Sequence, residues 1–124
     1  MTTVDSDDRP NARRKRRQFT PEQKAGFAKI GNDSAKLLER FADRLRPEVL
    51  AQCRTYSEVG EWTLLIDNLC ASLVKDKILI SSAERDALAD LLPMFGDPEQ
   101  NAYLVYIDSY DRVLEALNVS SELT

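Results

Sequence analysis

The chain has 124 residues, of which 43% are hydrophobic and nine are aromatic (four Tyr, four Phe and one Trp). That length and composition suffice for a single domain with a buried core. The sequence contains no histidine, so the commonest general base and metal ligand is missing from any catalytic mechanism. We therefore expect a binding protein rather than an enzyme, with no cofactor and no metal.

The cysteine content and the apolar runs indicate the compartment. Cys53 and Cys70 are the two cysteines, too few to staple a small secreted scaffold. Met1–Gln18 is polar and charged, unlike the apolar region of a secretory signal. The longest apolar runs, such as Trp62–Ile66, are far shorter than the roughly 20 residues that a membrane helix needs. We expect a cytoplasmic protein with reduced thiols.

The first 18 residues differ in composition from the rest of the chain. They hold six basic and three acidic residues and little apolar surface, which predicts a flexible tail over residues 1–18. The tail contains the basic run Arg13, Arg14, Lys15, Arg16 and Arg17. Clustered cations can bind phosphates, but no aromatic residue interleaves the run for base stacking. A solvated tail is the favoured interpretation, and a nucleic-acid arm is kept as the alternative.

The first helix is predicted from its start signals. Thr20 is a good N-cap, and Pro21 suits the first helical position. Apolar residues then recur at helical spacing as far as Leu45, although Gly31 and the two residues after it could interrupt the helix. One kinked helix or two shorter helices remain open at this point.

Three further helices and a connection follow in the middle of the chain. Pro47 begins the second helix, which ends near Gly60, and apolar spacing from Trp62 onward predicts the third. Ile78 to Ile80 suggest a short extended connection, and Ser81 or Ser82 caps the fourth helix. The last helix is expected from about Glu99 to Leu117, with Tyr103 on its inner face. No strand is predicted, so the fold class is all-α: residues 19–124 form a compact single-domain bundle of five or six helices.

Two sets of residues have both a functional and a structural interpretation. The carboxylate pairs Asp86/Asp90 and Asp111/Glu115 stand four residues apart on one helix face, but no histidine or calcium-loop pattern accompanies them. A solvated or partner-facing acidic surface is the favoured interpretation of both pairs. By its spacing Trp62 belongs to the core, although an exposed indole there would make a good interface anchor.

Several short motifs occur in a fixed order between Leu45 and Gly96. They are Leu45-Arg-Pro-Glu-Val-Leu50, Gly60-Glu61-Trp62, Ile66-Asp-Asn-Leu69-Cys70, Ile78-Leu-Ile80-Ser, and Glu84 with Leu88, Leu91 and Leu92. In this order the sequence resembles the Maf-type immunity proteins of bacterial polymorphic-toxin and contact-dependent growth inhibition systems. The resemblance implies a small helical protein of the bacterial cytoplasm that neutralises the toxic C-terminal domain of a cognate, genetically adjacent effector. It implies no catalytic residue.

Charge supports a basic protein partner independently. After Arg46 the chain holds five basic and fourteen acidic residues, and an acidic body attracts basic partners while repelling nucleic acid. Toxin domains that cut nucleic acids are usually basic, so we expect a basic nuclease domain as partner. The predicted contact residues are Glu58, Glu61, Asp67, Asp97, Asp108, Asp111 and Glu115.

A regulatory protein is the alternative function. In it the basic arm would bind nucleic acid and the helical body would dimerise. Tyr103, Tyr106 and Tyr110 could form a homodimer contact as readily as they could pack in the core.

Overall fold

The computed structural model describes residues 21–120, with only the backbone of residues 22–25. This part is largely helical and has five α-helices: α1 (Pro21–Arg40), α2 (Pro47–Glu58), α3 (Trp62–Lys75), α4 (Ser82–Leu91) and α5 (Tyr110–Ala116). Two 3₁₀ helices, Leu92–Phe95 and Pro98–Gln100, lie between α4 and α5. The predicted helical fold is thus confirmed. Residues 1–18, with the run from Arg13 to Arg17, and the proposed cap Thr20 lie outside the described residues.

Helix α3 is the centre of the core. Its inward side chains Leu65, Ile66, Leu69 and Leu73 are fully buried, and the helix packs against α1, α2 and α5. Apolar residues at i, i+3, i+4 and i+7 give such a helix a continuous buried stripe. The observed bounds agree with the predicted starts at Pro47 and Trp62.

Helix α1 is continuous through Gly31, which settles the two possibilities left open by the sequence. At Gly31 an added Cβ would lie 2.6 Å from Cζ2 of Trp62, so the indole packs directly against the helix backbone. Trp62 itself is half-buried. Glycine at this position therefore has a packing reason, which is the close approach of α3 to α1.

We expect Gly31→Ala to destabilise the fold by about 1 kcal/mol, because overpacking at the indole outweighs the better helix propensity of alanine. Gly26→Ala in the same helix is the matched control, since nothing lies within 4 Å of its added Cβ; it should stabilise the fold by up to about 1 kcal/mol. Urea unfolding followed by the fluorescence of Trp62 measures both. Stabilisation of equal size by the two substitutions would contradict the packing role of Gly31.

A short parallel sheet contradicts the prediction that the chain has no strand. Strand β1 (Leu79–Ser81) pairs with β2 (Asn118–Ser120), with Ile80 opposite Val119. Three-residue strands are too short to show an alternating pattern, and their pairing joins segments that are distant in sequence. The prediction of an extended, core-packed connection at Ile80 was nevertheless correct, since this residue is fully buried.

The predicted last helix is much shorter than expected. Residues 99–109 are mostly irregular, and α5 begins only at Tyr110, where the Ser109 side chain accepts a hydrogen bond from the Arg112 N–H. Asp97 caps the preceding 3₁₀ turn by accepting from the Glu99 N–H. Such side-chain bonds to nearby backbone compete with a continuous helix. As a result Tyr103, predicted to face inward, is 62% exposed.

Candidate interaction surface

The C-terminal third of the described chain is strongly acidic. Residues 86–120 hold seven acidic residues and one basic residue, Arg112, which is paired with Asp108 at 2.8 Å. Five exposed carboxylates form what we call the C-terminal acidic surface: Asp97, Glu99, Asp108, Asp111 and Glu115. Four of the seven predicted contact residues belong to it.

A hydrogen bond of Tyr110 joins the start of α5 to the end of the first 3₁₀ helix. Its hydroxyl donates a hydrogen bond to the Gly96 carbonyl oxygen. Burial, with a smaller contribution from the negative charge of Asp97, raises the pKa of Tyr110. The fold therefore brings Asp97 close to the start of α5. Asp108 and Asp111 flank that start in the sequence.

Glu58 and Glu61 lie elsewhere, at the connection between α2 and α3. Both are exposed, and the Glu61 N–H donates to the carbonyl oxygen of Tyr56 at 2.8 Å. Helix α2 packs against α1 and α3, whereas α5 packs against α3 and α4. These two predicted contact residues thus form a second, separate acidic site.

Asp67 does not belong to any partner-facing surface, and its prediction as a contact residue was wrong. Asp67 is only 6% exposed. One carboxylate oxygen accepts hydrogen bonds from the N–H groups of Tyr106 and Ile107, at 3.0 and 2.9 Å, and the other accepts from Tyr106 at 3.1 Å. Its acidic character led to the prediction, but the segment before α5 covers this side chain.

The segment Asn101–Ser109, which we call the pinned loop, is held at several points. The Asn101 side chain accepts from the Tyr103 N–H at 3.1 Å and donates to the Phe95 carbonyl oxygen at 3.3 Å. Leu104 and Ile107 are buried. The fixed backbone leaves Tyr103 and Val105 projecting into solvent, 62% and 82% exposed. Sequence reasoning missed this loop, because its apolar run resembles a helix core.

Strongly perturbed carboxylates often mark catalytic sites, but the partners of Glu84, a described carboxylate with a strongly lowered pKa, give it a structural role. Glu84 is 5% exposed and accepts hydrogen bonds from Arg40 at 2.9 Å and from Arg44 at 2.9 and 2.7 Å. It also completes a capping box with Ser81 at the start of α4. The Arg44 hydrogen bonds, helped by those from Ser81 and Arg40 and opposed by burial, lower its pKa to about 2. Glu84 therefore remains ionised and joins α1 to α4.

The two thiols are also poor reactive groups. Burial raises the pKa of Cys53 to about 11, and burial together with the charge of Asp67 raises that of Cys70 to about 12. A protonated, buried thiol is a weak nucleophile. Both cysteines pack in the core.

A groove of about 470 Å³ lies between α1 and α4. Its floor includes Leu37, Leu91 and Met94, and its rim carries charges of both signs. Lys29 is paired with Asp33 at 2.7 Å on this rim. The groove lacks a dominant charge and is a less distinctive binding surface than the C-terminal acidic surface.

Among the described side chains, those of residue 21 and residues 26–120, no group of three or more cysteine, aspartate and glutamate residues is placed to hold a metal ion. In the same range, none of the helices combines the length and the apolar character needed to cross a lipid bilayer. The pairs Asp86/Asp90 and Asp111/Glu115 consist of exposed carboxylates.

Comparison with known proteins gives no match: no family model, no curated protein and no solved structure is significantly similar to this chain.

Proposed function

We propose that this chain is an immunity protein that binds and neutralises a basic toxin domain of the nuclease type. The observation that carries the proposal is the C-terminal acidic surface, in a region with seven acidic residues and one basic residue. Its exposed carboxylates offer a partner the same sign of charge as a nucleic-acid substrate. The motif resemblance between Leu45 and Gly96 supports the same function.

The charge pattern suits rapid capture of a basic protein. A domain that binds nucleic acid presents a positive cleft, and complementary potentials accelerate encounter and exclude partners of the wrong sign. Salt screens this attraction, with a Debye length of about 10 Å at 0.1 M ionic strength. Binding through this surface should therefore become slower as salt rises.

Co-expression tests the function directly. The C-terminal domain encoded by the gene immediately upstream is induced in a bacterial host with and without this protein. Growth arrest that is relieved only by co-expression, together with co-purification of the two proteins, is the expected result. If the domain stays toxic beside a folded copy of this chain, or is harmless alone, the proposal is wrong.

Matched charge variants then test the surface. Asp111→Asn/Glu115→Gln removes two exposed charges from α5, and Glu58→Gln/Glu61→Gln removes two from the α2–α3 connection. We expect the α5 variant to slow association by about tenfold at low salt, with a much smaller effect for the other pair. Equal slowing by both variants would indicate that total charge, rather than this surface, guides the partner.

Deleting residues 1–18 separates the proposal from the nucleic-acid alternative. The cations of that alternative, from Arg13 to Arg17, all lie in the deleted segment. Under the proposed function the truncated chain still protects the host. Loss of protection together with loss of a salt-dependent nucleic-acid affinity would favour the regulatory function instead.

A further inference from the structure

We infer that Tyr103 and Val105 on the pinned loop are the anchors of the toxin contact, and that the partner receives them in an apolar recess bordered by cations. The inference rests on the proposed function and specifies the chemistry of the partner at that site. On this inference, the contacts of these two side chains are the main reason that the complex dissociates slowly. The carboxylates around them serve mainly to attract and orient the partner.

Exposure of the two side chains is the first observation. Val105 is 82% and Tyr103 62% exposed, although each neighbours a buried residue, Leu104, that fixes the backbone between them. Apolar surface in water is unfavourable by about 25 cal/mol per Å². Complex formation would recover that energy, and tyrosine is among the residues that most often dominate binding energy at interfaces.

Rigidity of the loop is the second observation. The buried Asp67 carboxylate holds the N–H groups of Tyr106 and Ile107, and the Lys75 ammonium lies 5.2 Å from the centroid of the Tyr106 ring. Asn101 fixes the other end of the loop through two hydrogen bonds. A surface that is already ordered loses little conformational entropy on binding, which favours affinity. Exposed side chains on such a loop are suited to insertion into a partner.

The charges around the loop identify the partner. Asp97, Glu99 and Asp108 are exposed close to it in sequence, and the only basic residue after Arg85 is Arg112, which is engaged by Asp108. An acidic border repels an acidic partner and favours a basic one. Apolar anchors that are flanked in sequence by exposed carboxylates suit the usual interface arrangement, in which a dry centre is surrounded by polar contacts.

Affinity measurements on full-length protein test the inference, with the upstream-encoded toxin domain as the probe. The variant Tyr103→Ser/Val105→Ser removes both anchors. Val59→Ser is the matched control, because Val59 is also an exposed aliphatic residue, at 66%, but lies at the end of α2. Calorimetric titration is carried out at about 50 mM and about 500 mM salt, since charge attraction is strong at the first and largely screened at the second.

We expect the double variant to bind about 30-fold more weakly at both salt concentrations, as for loss of a central interface anchor. The Val59 variant should bind like the unmodified protein. Polylysine, a second probe that offers charge without a recess, should bind the double variant and the unmodified protein equally. Circular dichroism confirms that each variant is folded.

The possible failures are distinguishable. If the unmodified protein binds the toxin domain and the double variant binds as tightly, the anchors are wrong while the proposed function stands. A loss for the toxin domain that is matched by an equal loss for polylysine also overturns the inference, because it assigns the effect to charge. If the unmodified protein does not bind the toxin domain at all, the proposed function fails, and the inference fails with it.

Discussion

Glu84→Gln is expected to lower the free energy of unfolding by about 3 kcal/mol at pH 7. The pKa of Glu84 is lowered from 4.5 to about 2, and each pKa unit corresponds to about 1.4 kcal/mol of preference for the ionised form in the folded state. Glutamine retains the size and the oxygen that the Ser81 N–H contacts. The substitution therefore tests the charge that Arg40 and Arg44 bind.

The pH dependence of this effect has a definite sign. Because the folded-state pKa lies below the unfolded-state value, the ionised Glu84 contributes fully above about pH 4.5. That contribution is lost as pH falls through 4.5 towards 2, where the carboxyl is protonated in the unfolded and then in the folded state. The difference between the original protein and Glu84→Gln should shrink across this window.

Urea unfolding at pH 7 and at several lower pH values measures the effect. Glu39→Gln is the matched control, since Glu39 also receives two hydrogen bonds from an arginine, Arg54, at 2.9 and 2.7 Å, but is exposed to solvent. Solvent screens such surface pairs, so the control should change stability far less. Similar losses from the two substitutions, or a loss at Glu84 that does not vary with pH, would contradict the role of this buried pair.

Asp67→Ala is expected to destabilise the protein by about 3 kcal/mol and to release the pinned loop. The substitution leaves the N–H groups of Tyr106 and Ile107 without their acceptor, and each unsatisfied buried donor costs about 1 to 3 kcal/mol. The loop around Ile107, which is 1% exposed, then loses the hydrogen bonds that attach its backbone to α3. Its anchors should become mobile even where the rest of the fold persists.

Amide hydrogen exchange distinguishes local opening of the pinned loop from destabilisation of the whole fold. The N–H groups of Tyr106 and Ile107 should exchange faster than those of the α3 core, because the loop opens by itself. Asp86→Ala is the control: Asp86 is an exposed residue of α4, and such a change should stay within about 0.5 kcal/mol. Uniform acceleration of exchange throughout the protein would instead assign Asp67 to global stability alone.

Under the proposed function, binding would depend on Asp67 even though this residue is buried. Asp67 was predicted as a contact residue because it is one of the acidic residues after Arg46. In the structure its effect on a partner would be indirect, through the position of Tyr103 and Val105. The hydrogen-exchange result at Tyr106 therefore also indicates whether the binding loop is ordered before the complex forms.

Local signals in the sequence determined much of the fold. Pro47 and the Ser81-Ser82 pair mark helix starts, because proline has a preset backbone angle and a serine side chain accepts a backbone hydrogen bond. Both effects act within a few residues, although only the structure shows that Ser81 is the cap. The apolar spacing of α3 identified the central helix in the same way. The concentration of acidic residues after Arg85 is likewise a property of the sequence, which is why four of the predicted surface carboxylates are found together.

Only the tertiary structure decided the rest, because the deciding contacts join residues far apart in the chain. The pairing of Ile80 with Val119 creates a sheet from two segments that show no strand pattern alone. Asp67 accepts hydrogen bonds from a loop about 40 residues later, and this contact buries a predicted contact residue. The same loop takes the place of half of a predicted helix, and Tyr103 on it is exposed. Sequence periodicity shows which face of a helix is apolar. Which segment covers the opposite face depends on how the elements pack.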